Sequence, residues 1–256
     1  MVRGIIAFRQ HFYNFKDNYI LIGGAACDIH EEVEAQVPRA TKDLDVILVV
    51  EALSPDFVKE FWNFIRHGNY KSRQRGKNKH EYFRFMNPDD DNYPKQVELF
   101  ARNIGLLNFP EDAHIEPIPV DDEMSSLSAI LMNDSYYNFT LLHSDIIDDV
   151  HLADPVALIC LKAKAFIDLK KRKENGEPID GRNIEKHKKD VFRLAAMLSG
   201  ESVTDLPDEL YNDIVEFQEM VTNELPNDDF LKSAGIYGLT TSQLLNVIKK
   251  VFIKAK

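Results

Sequence analysis

The chain has 256 residues, 31 Lys or Arg against 42 Asp or Glu, a net charge of −11 and 44% hydrophobic residues. That balance excludes a disordered chain and allows one large domain or two smaller ones. No run of about 18 apolar residues could span a membrane, no signal-peptide pattern opens the sequence, and Cys27 and Cys160 alone give neither a disulfide framework nor a thiolate zinc site, so the cytoplasm is the expected compartment.

The first half predicts an α/β arrangement. Tyr19–Ile22 is a short β-rich run ending at Gly23-Gly24, and a helix is expected over Ala25–Ala35. Leu44–Val50 is apolar and β-branched, as a buried strand requires. Ser54 before Pro55 predicts a capped helix to about Arg66. Tyr70–Gly76 reads as a turn or loop, Tyr82–Met86 as a strand, residues 87–92 as a turn cluster, and Gln96–Phe100 as a core strand. Further strands are expected around Ala113–Pro119 and Tyr137–Leu142. The second half predicts helices over 155–174, 184–198, 208–225 and 241–255, the first opened by Asp154-Pro155 and stopped by Asn175-Gly176. The expected organisation is an α/β (α+β) domain with a small mixed sheet over 1–150 and a helical bundle over 151–256.

Charge is uneven along the chain. Residues 66–84 hold Arg66, Lys71, Arg73, Arg75, Lys77, Lys79 and Arg84 against Glu81 alone. Residues 160–193 hold eleven Lys or Arg against six acids, and 205–230 hold nine acids with no Lys or Arg. The basic stretches read either as solvated faces or as segments converging on a polyanion. Tyr70 and Tyr82 flank the first of them and could stack on a base, although aromatics beside strands usually belong to the core.

The chemistry concentrates between residues 22 and 46. Two glycines at a strand-to-helix junction let backbone approach phosphate oxygens, and the following helix aims its N-terminus at them. Asp43 and Asp45 alternate along a strand, so both carboxylates fall on one face, about 6–7 Å apart. Such a pair suits Mg²⁺, which favours carboxylate and phosphate oxygens. Glu98, an acid inside the apolar strand Gln96-Val97-Glu98-Leu99-Phe100, is the best third carboxylate for a two-metal site. His143, Asp145, Asp148, Asp149 and His151 form another cluster that could hold a second metal.

The stretch Gly23-Gly24, Arg39-Ala40-Thr41-Lys42-Asp43-Leu44-Asp45 and the later Glu98 resemble the pattern of the nucleotidyltransferase superfamily that includes DNA polymerase β. The tighter resemblance is to its AbiEii-like branch, the toxins of type IV toxin–antitoxin systems. The helix carrying Lys162 and the phrase Lys188-Lys189-Asp190 look like that branch's downstream helical motifs. The resemblance touches roughly residues 19–200. It implies a minimal nucleotidyltransferase fold followed by a helical bundle, using Mg²⁺ or Mn²⁺ and a nucleoside triphosphate. It implies that Asp43, Asp45 and Glu98 hold metal, that Glu98 helps deprotonate the acceptor hydroxyl, and that Gly23, Gly24, Thr41, Lys162 and Lys189 contact the nucleotide. RNA, particularly tRNA ends, is the implied acceptor and an antitoxin protein the implied partner; no membrane is involved. Two departures from the pattern are Gly24, often Ser, and Glu98, usually Asp. They keep open a non-catalytic nucleotide-binding module, beside transfer to a small molecule or a protein.

Overall fold

Period-two alternation in three strands decides which way the sheet faces. In the computed structural model, which describes residues 2–39, 41–75, 81–101, 116–117, 130–131, 133–200 and 202–255, β1 is Tyr19–Ile22, β2 Asp43–Leu48, β3 Ser72–Arg75, β4 Glu81–Met86, β5 Gln96–Ala101, β6 Glu116–Pro117, β7 Ser144–Ile147 and β8 Val150–Ala153. They form one mixed eight-stranded sheet in the order β6-β3-β4-β5-β2-β1-β8-β7. β2 lies antiparallel to β1 and parallel to β5, and β5 lies antiparallel to β4.

The register puts Tyr19, Leu21, Val46, Leu48, Val97, Leu99, Phe83 and Phe85 on one face. All are buried. Helices α1 (Ile5–Phe12) and α3 (Pro55–His67) cover that face with an aromatic layer. Phe8 meets Tyr19 edge-on at 5.0 Å between ring centroids, and Phe61 and Trp62 meet Phe85 at 5.5 and 5.8 Å. Helix α3 begins as its sequence dictates: Ser54 Oγ accepts from Phe57 N–H at 3.2 Å, with Pro55 at the first helical position. Helix α2 (Gly23–Val33) follows β1 directly and buries Ala25, Ala26 and Ile29.

The chain divides into two compact units, Met1–Asp121 with Leu141–Asp154, and Asp122–Thr140 with Pro155–Lys256. Where a single cut near 150 is expected, segment 141–154 joins the sheet unit as the β7–β8 hairpin, and 122–140 goes with the helices. The strand expected over Tyr137–Leu142 is instead part of helix α4 (Asp134–Leu142). The Asn133 side chain caps it, accepting from the Ser135 and Tyr136 N–H groups at 2.8 and 3.3 Å. Tyr136, Tyr137, Phe139 and Thr140 favour β by type, but capping and burial override propensity. Conversely, β3 occupies part of the loop expected over 70–76, paired with β4. Of the strand expected over Ala113–Pro119, β6 is present and the rest lies outside the described residues.

In the second unit α5 is Pro155–Glu174, α6 Gly181–Ala195, α7 Asp208–Asn223, α8 Asp228–Ser233 and α9 Thr241–Val251. Phe166 packs edge-on against Phe217 at 5.3 Å, and Phe192 against Phe230 at 5.7 Å. The helix expected to reach Ala255 stops at Val251, because Phe252–Lys254 (β10) pairs in parallel with Thr204–Leu206 (β9). Among the described residues no helix is long and apolar enough to cross a membrane.

Candidate active site

The site starts where β1 runs into α2. Gly23 has φ +69°, and a Cβ on it would lie 1.8 Å from Oδ2 of Asp45. Backbone and space therefore both demand glycine. The cause is register: Ile22 of β1 stands opposite Asp45 of β2, so the strand exit and that carboxylate meet. At Gly24 a Cβ would come 2.9 Å from Thr41 Oγ1 and 3.5 Å from Arg39 Nη2. Asp28 holds that segment in place. It is fully buried in α2 and accepts the N–H of Thr41 at 2.6 Å and of Arg39 at 3.4 Å. Gly23, Gly24, Thr41 and Asp45 are thus brought together around one turn.

The face of the sheet opposite the aromatic layer carries a polar row. Register pairs Asp43 with Gln96, Asp45 with Glu98, and Glu98 with Arg84. Asp43 and Asp45 are half-buried, and Glu98 is buried. Arg84 places Nε and Nη2 each 2.9 Å from Oε1 of Glu98, and Gln96 Nε2 donates to the same oxygen at 2.6 Å. Burial first, and the charge of Asp45 second, push the Glu98 carboxyl well above the usual range; the Arg84 guanidinium opposes them without prevailing. Glu98 also hydrogen-bonds to the Asp45 carboxyl, and two carboxyl groups in contact share a proton.

The row offers the donor type that a divalent cation takes. Carboxylates from two adjacent strands lie on one side of the sheet, beside a glycine turn with no room for a side chain, and like charges crowd there. The expected three-ligand group needs correction, however. Among the described residues no three His, Cys, Asp or Glu are gathered in metal-binding geometry. Asp43 stands two residues along β2, and Glu98 is engaged by Arg84 and Gln96.

Lys162 and Lys189 belong to the helical unit. Lys162 is buried on α5 and pairs with Asp190 of α6 at 3.3 Å. Lys189 lies on α6 with Nζ 5.8 Å from the Phe230 ring centre. The basic run on α5 is largely answered by the acidic run on α7: Lys164 pairs with Asp213 at 2.8 Å, Lys171 with Glu216 at 2.6 Å, and Lys170 with Glu224 at 3.3 Å. Those ion pairs tie α5 to α7. Side chains 72–82 lie outside the described set, but Tyr70 is core, its hydroxyl donating to Pro94 O at 2.8 Å. The His143–His151 cluster holds the hairpin together. His151 bonds Lys16 O and Ser144 Oγ at 2.8 and 2.9 Å, and His143 bonds Asp154 at 3.1 Å.

Three residues escaped the sequence reading of the site. Asp28 is an acid inside the apolar run Ala25-Ala26-Cys27, and Arg84 is a cation between Phe83 and Phe85. A charge interrupting an apolar pattern is the signal that marks both. Gln96 gives no such signal at a strand's first position. No protein-family model matches the chain, and no curated protein matches it.

Proposed function

We propose that the protein is a metal-dependent nucleotidyltransferase of the minimal nucleotidyltransferase fold, resembling the AbiEii-like branch. The observation that carries this reading is the Asp45–Glu98 contact across β2 and β5, set against the Gly23 turn. A buried and a half-buried acid in contact destabilise a metal-free fold, and a catalytic cation is one reason to keep them.

Asp43 and Asp45 would hold the cation, Mg²⁺ or Mn²⁺, with Glu98 at the edge of its shell. When bound, it offsets charge on the attacking and leaving oxygens of an in-line displacement. Gly23 and Gly24, lacking side chains, would let triphosphate oxygens approach the backbone N–H groups at the start of α2. Thr41, tied by Asp28, lies against Gly24. The acceptor hydroxyl oxygen forms a bond to the α-phosphorus, the bond from that phosphorus to the bridging oxygen breaks, and pyrophosphate leaves. Glu98, once ionised, takes the hydroxyl proton. Lys162 and Lys189 would contact the nucleotide by resemblance alone.

RNA is the proposed acceptor, on the strength of the basic segment Lys71–Lys79, and an antitoxin the proposed partner by resemblance. Labelled nucleoside triphosphates, all four in turn, with Mg²⁺ and separate RNA, protein and small-molecule fractions, test both points. Label is expected in RNA and absent with Asp43→Asn. Tight nucleotide binding with no pyrophosphate release would instead favour a binding module.

A further inference from the structure

We propose that Arg84 is a positioning residue of this site: a resident counter-charge that fixes the Glu98 carboxyl and confines a divalent cation to the Asp43–Asp45 end of the row. The inference rests on the cation reading of those carboxylates. Its grounds are geometric. An arginine facing a free carboxylate ordinarily spreads its fork over both oxygens. Here both nitrogens, Nε and Nη2, lie 2.9 Å from the single oxygen Oε1, and Gln96 Nε2 reaches the same atom at 2.6 Å. Donors from β4 and β5 therefore fix the rotation of the carboxyl group, while its contact with Asp45 continues the row. The arginine and the glutamate are both well shielded, with side chains 12% and 8% exposed, so water screens the pair weakly.

A guanidinium fixed at the Glu98 end repels a cation there and leaves the Asp43–Asp45 end as the place of lower energy. A merely structural salt bridge would make no such distinction. Its loss would loosen the sheet and weaken cation binding and transfer together. Loss of a counter-charge moves the two in opposite directions.

The test is Mn²⁺ binding to the full chain, followed by the electron paramagnetic resonance of free Mn²⁺, beside transfer assays on the same proteins. Arg84→Gln is expected to bind Mn²⁺ about tenfold tighter, while transfer falls roughly tenfold or more as Glu98 loses its setting. Unchanged or weaker Mn²⁺ binding by Arg84→Gln overturns the inference. Should that variant fail to fold, Arg84→Lys decides. It keeps the charge and loses the fork, so affinity stays within about twofold of wild type while transfer still drops about tenfold; transfer at the wild-type rate overturns the inference. Asp45→Asn is run alongside. If wild type binds no Mn²⁺, or Asp45→Asn binds it equally well, the cation reading fails and this inference with it. If binding depends on Asp45 and Arg84→Gln leaves it unmoved, the Arg84 inference alone fails.

Discussion

The two units bury charge in opposite ways. In the helical unit two shielded lysines meet acids: Lys162 meets Asp190, and Lys164 meets Asp213, whose other oxygen also accepts from the Tyr136 hydroxyl at 2.8 Å. In the sheet unit Asp43, Asp45 and Glu98 share one row with Arg84, and Asp45 and Glu98 touch. Balanced charge between helices serves the fold. Two carboxyl groups in contact at the mouth of a glycine turn work against the metal-free fold.

The sharpest way to break this contrast is to remove acids from each unit. Asp45→Asn should cut transfer by roughly three orders of magnitude or more. The same change should raise metal-free stability, by roughly 1 kcal/mol, because it relieves the like charge beside Glu98. Denaturant unfolding and transfer rates on one preparation check both signs. Asp190→Ala should do the reverse to stability, costing about 3–5 kcal/mol by leaving Lys162 buried without its acid. The double change Lys162→Met with Asp190→Leu should recover most of that loss, as thermal unfolding would record. If Asp45→Asn destabilised as much as Asp190→Ala, the two units would not differ as claimed.

A subtler difference lies in pH. Because burial and Asp45 raise the Glu98 carboxyl, the folded chain holds a proton that the unfolded chain releases. Stability from this group is fully present below the ordinary glutamate range and is lost as pH rises through the raised value. Metal-free stability should therefore decline as pH rises from the ordinary glutamate range through the raised value, by at most about 1.4 kcal/mol per pH unit. Glu98→Gln should flatten that slope in urea titrations across the range. The smallest effect belongs to the helical surface. Lys171→Ala, which loses a half-exposed partner of Glu216, should change stability by less than about 1 kcal/mol and leave RNA transfer unchanged.

What the sequence made legible was whatever repeats locally. Asp43 and Asp45 alternate with Leu44 and Val46, so their shared face followed from period two. The glycine pair marked a turn, and Ser54-Pro55 marked a helix start. Long-range pairing left no local trace. That Arg84 would face Glu98 depends on the register of β4 against β5, and that Asp28 would tie down Thr41 depends on a loop returning over α2. The α5 and α7 charge runs were each visible, but their mutual pairing was not. The β7–β8 hairpin was missed because its turn, Asp148-Asp149, has positive φ at both residues without the usual Asn-Gly signature. Lys16 helps hold that turn through Asp149 at 2.6 Å.

The central claim is tested most directly by the position of the label. The full chain is incubated with RNA, Mg²⁺ and a nucleoside triphosphate labelled at either the α- or the γ-phosphorus, beside Asp45→Asn. The account predicts that RNA takes up the α-label only, that pyrophosphate appears in equal amount, and that Asp45→Asn does neither. Uptake of the γ-label, or undiminished α-label with Asp45→Asn, would contradict it.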